Sequence, residues 1–443
     1  MADCIGASLR RGVIGISLVL ALGACDRSKP GTHASSSAVD ADTASKLAAL
    51  GYVEWVQGKD DLSRVGVVNH DPHAASGLTL YKSRPAPAAH LIDLDGNVVH
   101  TWKEPRLEIT DWESLVAFFY QRGGSVCWDH IELLPDGALL GIVKYRDLEK
   151  IDWSSKLLWR TRIPAHHDID VAPDGRILTL TQRMGKLATG DGSVSIVDNG
   201  IAILSPDGKL LREISLASLV GRRVPRKRID AIRAAAKSGK LSGTAMLNLR
   251  DVFHSNAIEL LQRDVPSLGK AGQVLLSVRE LDLVAIVDLD REEIVWEWGP
   301  GEIQRQHHPS ILPDGHIVLF DNGVFRHYSR IVEMDPASRQ VVWEYRGSPP
   351  KAFFSRRRGG VQWLPGDHFL VTYSSRGRAF EIDRKGKVLW EFLNPDIDPL
   401  EHQRGAIYRV ERLTPERAAA LPLGATPAPE LAARSAAPAG AAQ

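Results

Sequence analysis

Short apolar runs rich in β-branched residues recur along the chain, and tight-turn sequences bound each of them. In the stretch 304–330, the run Ile317–Phe320 follows the turn Pro313-Asp314-Gly315 and precedes the turn Asp321-Asn322-Gly323. Proline presets φ for a turn and glycine accepts a positive φ, so both tripeptides favour a reversal of the chain. The pattern predicts a strand, a turn, a strand and a second turn, with a histidine pair where the first strand begins.

This pattern repeats, and most repeats close on a tryptophan. The repeats open at residues 130, 167, 254, 308 and 360, about 37, 87, 54 and 52 residues apart. Such periods, with two hairpins in each repeat, are typical of β-propeller blades. A four-stranded blade has two apolar faces, so neighbouring blades must cover both of them. We expect the recurring tryptophans to pack between blades.

The sequence therefore predicts an all-β fold, a six-bladed β-propeller. Five blades open at the positions given above. The hairpin 89–102 has no inner strand before it, and 405–413 reads as a lone strand near the other end of the chain. Pairing these segments makes a sixth blade and closes the ring, which removes the free strand edges. A seventh blade would require that 65–81 form more than a cap.

The two ends of the chain do not follow this pattern. Residues 1–24 have the character of a signal peptide, because Arg10-Arg11 precede an apolar stretch too short for a comfortable membrane span, and Leu22-Gly23-Ala24-Cys25 resembles a bacterial lipobox, which makes it a lipoprotein signal peptide. Cys25 would then be lipidated, and Asp26 favours an inner-membrane, periplasmic lipoprotein; an ordinary signal peptide cut after Ala24 is the alternative. We expect a tether at 25–43, a short helical lead-in at 44–64, the propeller at 65–413 and a disordered Ala/Pro-rich tail at 414–443.

A basic segment at 220–250 interrupts the repeats, and its central part, 228–236, reads as a helix. It is either a solvated insertion on the rim or a basic lid that draws anions toward the central opening. A nucleic-acid partner is not indicated, because the segment lacks interleaved aromatic residues and the net charge is +1 from 55 basic and 54 acidic residues. After processing only Cys127 would remain, so the mature chain could form no intramolecular disulfide.

Four histidines occupy corresponding places in the repeats. The first strand of a propeller blade lines the central channel, and His130, His167, His254 and His308 each stand where such a strand begins. Arg279 ends a strand of the His254 repeat, and arginine suits a tetrahedral oxyanion because its planar fork donates several hydrogen bonds. The sequence thus predicts an anion site in the channel. Arg330 is a further candidate, or else forms a salt bridge to a nearby acid.

The phrases FHSNAIEL, LLSVREL, QHHPSILPDGHIVLFDNG and SRIVEMDP, with HHDIDVAPDG and AHLIDLDGNVVHTW before them, resemble the bacterial arylsulfotransferase family. The likeness runs from about 65 to 395. It implies a six-bladed periplasmic propeller without a cofactor. It also implies a PAPS-independent, ping-pong transfer of a sulfuryl group from a phenolic sulfate ester to a phenol through a sulfohistidine. The family's dimerisation region is absent or reduced here, which leaves an oligomer open.

In that family the nucleophilic histidine follows a glutamine, which here is Gln306. Adjacency selects His307, whereas the distance to Pro-Asp-Gly selects His308, and only one of them can face the channel if the strand is regular. We favour His308. The resemblance assigns the other catalytic positions to His167, His254 and Arg279, with His254 as general acid and base and Asn256 in support.

Three other readings are open. Four converging imidazoles could bind zinc or iron, although the nearby Arg279 argues against a metal. A lipid-anchored propeller could be a non-catalytic scaffold, but that role needs no channel histidines. A quinone-dependent dehydrogenase has similar Gly and Trp phrases, but it normally needs eight blades.

Overall fold

The computed structural model describes residues 61–83, 86–105, 128–398 and 403–424, and these form a six-bladed β-propeller. Each blade is an antiparallel sheet whose strands follow one another from the central channel to the rim. The predicted fold class is therefore confirmed. The signal peptide, the tether, Cys25, Cys127 and nearly all of the lead-in 44–64 lie outside the described residues.

Blade 1 joins the two ends of the propeller, because its inner strand comes last in the sequence. Its order from the channel outward is β27 (Ile407–Leu413), β2 (Leu78–Ser83), β3 (Ala88–Ile92) and β4 (Val98–Lys103). The predicted pairing of 405–413 with the hairpin 89–102 needs a correction, since β2 lies between them. The segment 65–81 is more than a cap but adds no seventh blade: β1 (Gly66–His70) pairs with the outer strand of blade 6.

The other blades follow the sequence in order. Blade 2 contains β5 (Trp128–Leu133), β6 (Leu139–Val143), β7 (Asp147–Ile151) and β8 (Leu157–Arg162). Blade 3 contains β9 (Ala165–Val171), β10 (Ile177–Thr189), β11 (Gly192–Leu204) and β12 (Leu210–Ser215). Blade 4 contains β13 (Ser255–Leu260), β14 (Val274–Val278), β15 (Leu283–Asp288) and β16 (Glu293–Trp298).

Blade 5 contains β17 (His307–Ile311), β18 (Ile317–Asp321), β19 (Arg330–Asp335) and β20 (Gln340–Arg346). Blade 6 contains β21 (Gly360–Leu364), β22 (His368–Tyr373), β23 (Arg378–Ile382) and β24 (Val388–Leu393), and β1 extends it as a fifth strand. A small ladder of β25 (Ile397–Asp398) and β26 (Gln403–Arg404) leads back to blade 1. Single 3₁₀ turns span Gly221–Arg223, Arg279–Leu281, Pro350–Ala352 and Ser374–Arg376.

The Pro-Asp-Gly sequences form the turns between inner and second strands. In blade 5, Gly315 has φ +92° and its N–H donates to the carbonyl of Leu312 at 2.9 Å. The Asp314 carboxylate accepts from the backbone N–H of His316 at 3.0 Å, which closes the turn. These contacts fix the register of the inner strand, and with it the place of the histidines that precede the turn.

The core lies between blades. In the described chain, buried apolar side chains form six clusters, and each cluster joins two adjacent blades. Tryptophans cross these interfaces: the indole N–H groups of Trp102, Trp343 and Trp390 donate to backbone carbonyls of the neighbouring blade, at 3.2, 3.0 and 2.9 Å. The predicted packing of Trp between blades is confirmed at these positions.

The basic insertion folds as helices beside blade 3. They are α1 (Leu216–Val220), α2 (Arg226–Ser238) and α3 (Gly243–Arg250). Arg226 and Arg233 of α2 both bind the carboxylate of Asp191, at the tip of the long β10–β11 hairpin. The segment α3 ends directly before Asp251, which Val197 of that hairpin contacts through a β-bridge. The insertion therefore connects blade 3 to the start of β13.

The predicted disordered tail begins too early. Residues Pro415–Ala419 form α4, which the Thr414 side chain caps by accepting from Arg417 N. Leu421 then packs into the core between blades 1 and 2. Residues 425–443 lie outside the described residues. None of the helices in the described ranges has the length and apolar character that a membrane span requires.

Candidate active site

Three of the predicted histidines share an unusual backbone conformation. His167, His254 and His308 have φ of +64°, +45° and +47°, and they lie where β9, β13 and β17 begin. A left-handed non-glycine residue costs about 1–3 kcal/mol, and such residues persist at functional sites where the surrounding structure holds them. The pairing register of each of these three strands shifts near its histidine. Side chains at these places therefore do not simply alternate between the two faces of the sheet.

His307 is buried and held through one ring nitrogen. Its Nδ1 lies 2.7 Å from Oδ1 of Asn322 and 3.1 Å from the carbonyl of Arg305. The orientation of the Asn322 amide follows from its Nδ2, which donates to the carbonyls of Ser355 and Arg358. Both neighbours of Nδ1 are therefore acceptors, so Nδ1 carries the proton and Nε2 carries a lone pair. Nε2 has no hydrogen-bond partner in the described chain.

The surroundings keep the imidazole of His307 neutral. Burial lowers its pKa well below the usual value, and the charges of Arg279 and His254 act in the same direction. Asn322 opposes this shift only in part. A neutral imidazole with one bare nitrogen is the form that can act as a nucleophile.

His254 forms a dyad with an aspartate that the sequence analysis did not single out. Its Nδ1 hydrogen-bonds the carboxylate of Asp251, which also accepts from the backbone N–H of His254 at 3.2 Å. Burial would raise the pKa of Asp251, but the nearby His254 more than offsets it and the pKa lies below its usual value. An ionised Asp251 fixes Nδ1–H of His254 and directs Nε2 away from it, as in other His–Asp pairs.

His167 completes the group from the neighbouring blade. Its ring centroid lies 4.9 Å from that of His254. Its Nδ1 lies 2.6 Å from Nδ1 of His166, so a single proton joins the two rings. Burial lowers the pKa of both rings, that of His166 to about 3. Both are therefore neutral hydrogen-bonding groups at pH 7.

Arg279 brings a guanidinium group to these imidazoles. It lies in the turn after β14, pairs with Glu280, and is close enough to His307 to lower the pKa of that ring. Glu280 also binds Arg305 at 3.1 Å, and Arg305 donates to the carbonyl of Arg279 at 3.2 Å. Two arginines thus share one carboxylate next to His307. We call His167, His254, Arg279 and His307 the His307 cluster.

Side chains from blade 4 and the approach to β17 fix the position of His307. Gln306 donates to Oγ of Ser277 at 3.0 Å and to the carbonyl of Leu283 at 2.9 Å. Asn256 donates to the carbonyl of Gln306 at 2.8 Å. The residue before His307 is thus tied to blade 4 through its side chain and its backbone. Asn256 has the supporting position that the sequence suggested.

His308 also turns into the channel, toward a different set of groups. The register of β17 shifts between His307 and Ser310, so the strand is not regular and both histidines face inward. The Nδ1 of His308 accepts from the backbone N–H of Val361 at 3.2 Å, which leaves the ring proton on Nε2. Burial, Arg409 and His130 lower the pKa of His308 well below its usual value.

His130 lies with His308 rather than with the other histidines. Its ring packs edge-on against Tyr408 with centroids 5.6 Å apart, and its Nε2 is 3.4 Å from Oδ1 of Asp168. Arg409 binds the same oxygen of Asp168 at 2.8 Å. We call His130, His308, Tyr408 and Arg409 the His308 cluster. They line a cavity of about 160 Å³ between the inner strands of blades 1, 2, 5 and 6.

Arg330 is not part of either cluster. Its guanidinium group binds Asp321 and Glu344, both at 2.9 Å, and the carbonyl of Glu302 at 2.7 Å. The salt-bridge alternative for Arg330 is therefore the arrangement that the structure contains, with Asp321 and Glu344 as the acids. This side chain holds strands of blade 5 together.

Sequence reasoning missed several polar residues of the channel, namely Asp251, His166, Asn322, Tyr408 and Arg409. Two of them had a usable signal. Asp251 stands three residues before His254, and Arg409 lies on the strand that closes the ring. Asn322 was read only as a turn residue, because nothing in a sequence links a turn after one strand to a histidine at the start of another.

Several known proteins are similar to this chain. A search of curated proteins gives no match. Among solved structures, a protein of unknown function from Bacteroides caccae aligns at 12% identity with a TM-score of 0.47, covering 76% of this chain and 98% of its own. A streptogramin B lyase aligns at 10% identity with a TM-score of 0.43, covering 79% of this chain and 93% of its own. Virginiamycin B lyase from Staphylococcus aureus aligns at 12% identity with a TM-score of 0.41, covering 74% of this chain and 88% of its own.

The fold and the site define a class: a six-bladed propeller whose channel holds neutral histidines beside a buried arginine. The family model for arylsulfotransferase (ASST) matches residues 131–395, which is more than half of the chain. The protein belongs to the arylsulfotransferase family. The predicted family membership is thereby confirmed.

Proposed function

We propose that this protein is a PAPS-independent arylsulfate sulfotransferase that works by a ping-pong mechanism, with His307 as the residue that carries the sulfuryl group. The family supports transfer between a sulfate donor and an acceptor. The hydrogen bonds to Nδ1 of His307 support the choice of nucleophile, because they leave its Nε2 lone pair bare. His308 was the choice from sequence spacing, but its Nδ1 is occupied by Val361 N–H and its Nε2 bears the proton.

In the first half-reaction, Nε2 of His307 attacks the sulfur of an aryl sulfate and the bond from sulfur to the phenolic oxygen breaks. His254 gives the proton of its Nε2 to the departing oxygen, so a neutral phenol leaves. The Arg279 guanidinium and His167 bind the sulfuryl oxygens, where charge develops in the transition state. Because Asp251 is ionised, it stabilises His254 while that ring still holds both protons.

In the second half-reaction, the acceptor phenol gives its proton to Nε2 of His254 while its oxygen attacks the sulfur. The bond from sulfur to Nε2 of His307 breaks, and a new aryl sulfate forms. His254 is then protonated and His307 is neutral with a bare Nε2, as at the start. Both halves use the same groups in opposite directions, so no cofactor or metal enters the balance.

The direct test is turnover of p-nitrophenyl sulfate with phenol as acceptor, comparing His307→Asn with His308→Asn. We expect His307→Asn to lose at least about a thousandfold in kcat, because no other group carries the sulfuryl. We expect His308→Asn to retain most of kcat when phenol is saturating, because His308 lines the neighbouring cavity and takes no part in the transfer. The two residues are adjacent and both lie in the channel, so each variant is the matched control for the other.

Two results would contradict this assignment. Loss of turnover in His308→Asn with retention in His307→Asn would make His308 the nucleophile. Turnover that a chelator abolishes would favour the metal site, which the four histidines left open. No turnover with any aryl sulfate would leave the scaffold as the better description.

We also propose that the protein is a periplasmic lipoprotein anchored through Cys25. The proposal is supported by the arginine pair and the apolar stretch that precede Cys25 in the sequence. Expressed with its leader, the wild type should incorporate labelled palmitate and fractionate with membranes, with the inner membrane favoured. Cys25→Ala should do neither. Membrane association of the Cys25→Ala variant would contradict the anchor.

A further inference from the structure

The cavity beside the His308 cluster has no role in the steps above. Its apolar walls are Leu80, Ile131 and Val410, and the ring of Tyr408 adds an aromatic surface. Its volume is about 160 Å³. An engineered cavity of about 150 Å³ in another protein binds benzene. The space therefore matches one six-membered aromatic ring.

The polar groups of this cavity suit a neutral hydroxyl. Burial keeps His130 and His308 uncharged by lowering the pKa of each ring well below its usual value, and Arg409 acts in the same direction. Burial also raises the pKa of Glu132 well above its usual value, which favours the uncharged form of that carboxyl. In the described chain, neither Nε2 of His308 nor the hydroxyl of Tyr408 has a hydrogen-bond partner. Both can bind a second hydroxyl or another polar substituent on the ring of a ligand.

Three of the charged groups that line the cavity form ion pairs, and the ammonium of Lys82, which also lines it, donates to the carbonyl of Ser83 at 3.1 Å. Arg409 binds Asp168 at 2.8 Å, and Asp129 binds Lys144 at 3.0 Å. Glu411 pairs with Arg417. The His307 cluster differs, because Arg279 and Arg305 share Glu280 and the charge of Arg279 reaches His307. The channel thus has one side where two arginines share a single carboxylate and another side where Arg409, Asp129 and Glu411 each have a charged partner.

The two sides are adjacent. His307 and His308 are consecutive residues. The ring of Tyr408 lies 6.0 Å from that of His167 and 5.6 Å from that of His130, so it spans both clusters. A ring in the cavity would therefore lie next to the residues that handle the sulfuryl group.

We propose that this cavity binds the phenol ring of the acceptor and makes the enzyme prefer acceptors with a single aromatic ring. This inference rests on the proposed sulfuryl transfer. The phenol hydroxyl reaches the His307 cluster past Tyr408, and the ring packs against Leu80, Ile131 and Val410. A bicyclic acceptor exceeds the volume of about 160 Å³, so its second ring must either lie at the open side of the cavity, without contact to these walls, or displace core side chains, which is costly in a close-packed interior.

The test measures binding apart from turnover. In the His307→Asn background, which the mechanism makes inactive, dissociation constants for phenol and 2-naphthol are determined by titration calorimetry. We expect phenol to bind at least roughly tenfold more tightly than 2-naphthol. Adding Tyr408→Ala enlarges the cavity and should reduce or reverse that ratio. Adding Val410→Ala instead of Tyr408→Ala enlarges the cavity at a different wall. The ratio of the two dissociation constants can therefore be measured even if one of the variants fails to fold.

Phe325→Ala is the matched control. Phe325 is a largely exposed ring that contacts Arg305 at the His307 side of the channel, with 5.8 Å between the guanidinium carbon and the ring centroid. We expect this change to leave the ratio of the two constants unaltered. If Phe325→Ala changes the ratio while Tyr408→Ala and Val410→Ala do not, the ring binds at the rim and the cavity proposal is wrong. Equal affinities for phenol and 2-naphthol would overturn it as well.

Failure of the pocket and failure of the function give different results. Selective phenol binding without turnover of any aryl sulfate would retain the pocket and refute sulfuryl transfer. Turnover that depends on His307, with acceptor size preference unaffected by Tyr408 and Val410, would retain the transferase and refute the pocket.

Discussion

Hydrogen-bond partners decide which of two adjacent histidines can react. Asn322 and the carbonyl of Arg305 accept at Nδ1 of His307, whereas Val361 donates to Nδ1 of His308. The two rings are therefore opposite tautomers, although burial keeps both neutral. The proposed nucleophile needs a bare Nε2, and of these two rings His307 is the one that has it.

Asp251 is a positioning residue for His254, and its effect should depend on the leaving group. In Asp251→Asn, the amide can donate to Nδ1 and select the wrong tautomer of His254, so kcat should fall by about a hundredfold or more. The loss should be larger for phenyl sulfate than for p-nitrophenyl sulfate, because p-nitrophenolate leaves with little help from an acid. The measurement is kcat for both donors.

A uniform loss for both donors would mean that Asp251 has only a structural role. Asp191→Asn is the control, because that aspartate binds two arginines on the same insertion but contacts neither cluster. It should leave the ratio of the two kcat values unchanged.

At the scale of elements, acidic side chains join the inner strands of neighbouring blades. Asp168 accepts from Ile258 N at 2.9 Å, Asp170 accepts from Leu260 N, and Glu259 accepts from Ile311 N at 3.2 Å. These contacts run from β9 to β13 and from β13 to β17. Burial raises the pKa of Asp170 to about 6 and that of Glu259 to about 7. The ring of strands thus contains carboxyl groups that are protonated in mildly acidic solution.

Glu259 should make the protein less stable as pH rises. Its pKa is about 7 in the folded protein against 4.5 for the free side chain, so the folded state binds more protons between these values. The free energy of unfolding should therefore fall from about pH 4.5 to about pH 7. Glu259→Gln should remove this contribution and gain about 1 kcal/mol over the wild type at pH 8.

Urea unfolding of both proteins at pH 5 and pH 8 measures the effect. Glu292→Gln is the control, since Glu292 is an exposed glutamate in the turn between β15 and β16. A wild type no less stable at pH 8 than Glu259→Gln would show that the strands do not hold a protonated Glu259.

At the scale of the molecule, one strand closes the ring and also completes the site. β27 pairs with β2 and brings Tyr408 and Arg409 to the His308 cluster. Ile407 and Val410 pack in the core between blades 6 and 1, and Leu413 packs between blades 1 and 2. Stability and channel chemistry therefore depend on the same seven residues.

Deleting 403–443 should open the propeller. Without β27, the edge of β2 and two interblade cores become exposed, so we expect loss of cooperative thermal unfolding or a large fall in Tm. Deleting only 425–443 should leave Tm unchanged, because every strand and α4 remain. Circular dichroism melting compares the two. An unchanged Tm in the chain that lacks 403–443 would contradict closure of the ring by β27.

Local sequence patterns predicted most of the fold, because turns and interblade tryptophans can be recognised from short runs of neighbouring residues. β2 was harder, since LTLYKS has no tight-turn tripeptide before it. The tail was misjudged because its Ala/Pro composition hid the cap at Thr414-Pro415. Within the site, His167, His254 and Arg279 follow from repeat position. The choice between His307 and His308 could not be made from repeat position. A register shift in β17 breaks the alternation of side chains between the two faces of the strand, on which that choice depended.

Mass spectrometry of the chain after brief exposure to p-nitrophenyl sulfate, without acceptor, tests the central claim most directly. Fragmentation of the peptide around 304–312 separates modification of His307 from that of His308. The account predicts one added sulfuryl mass on His307, which disappears when phenol is supplied. A sulfuryl mass on His308, or turnover with no modified histidine, would contradict it.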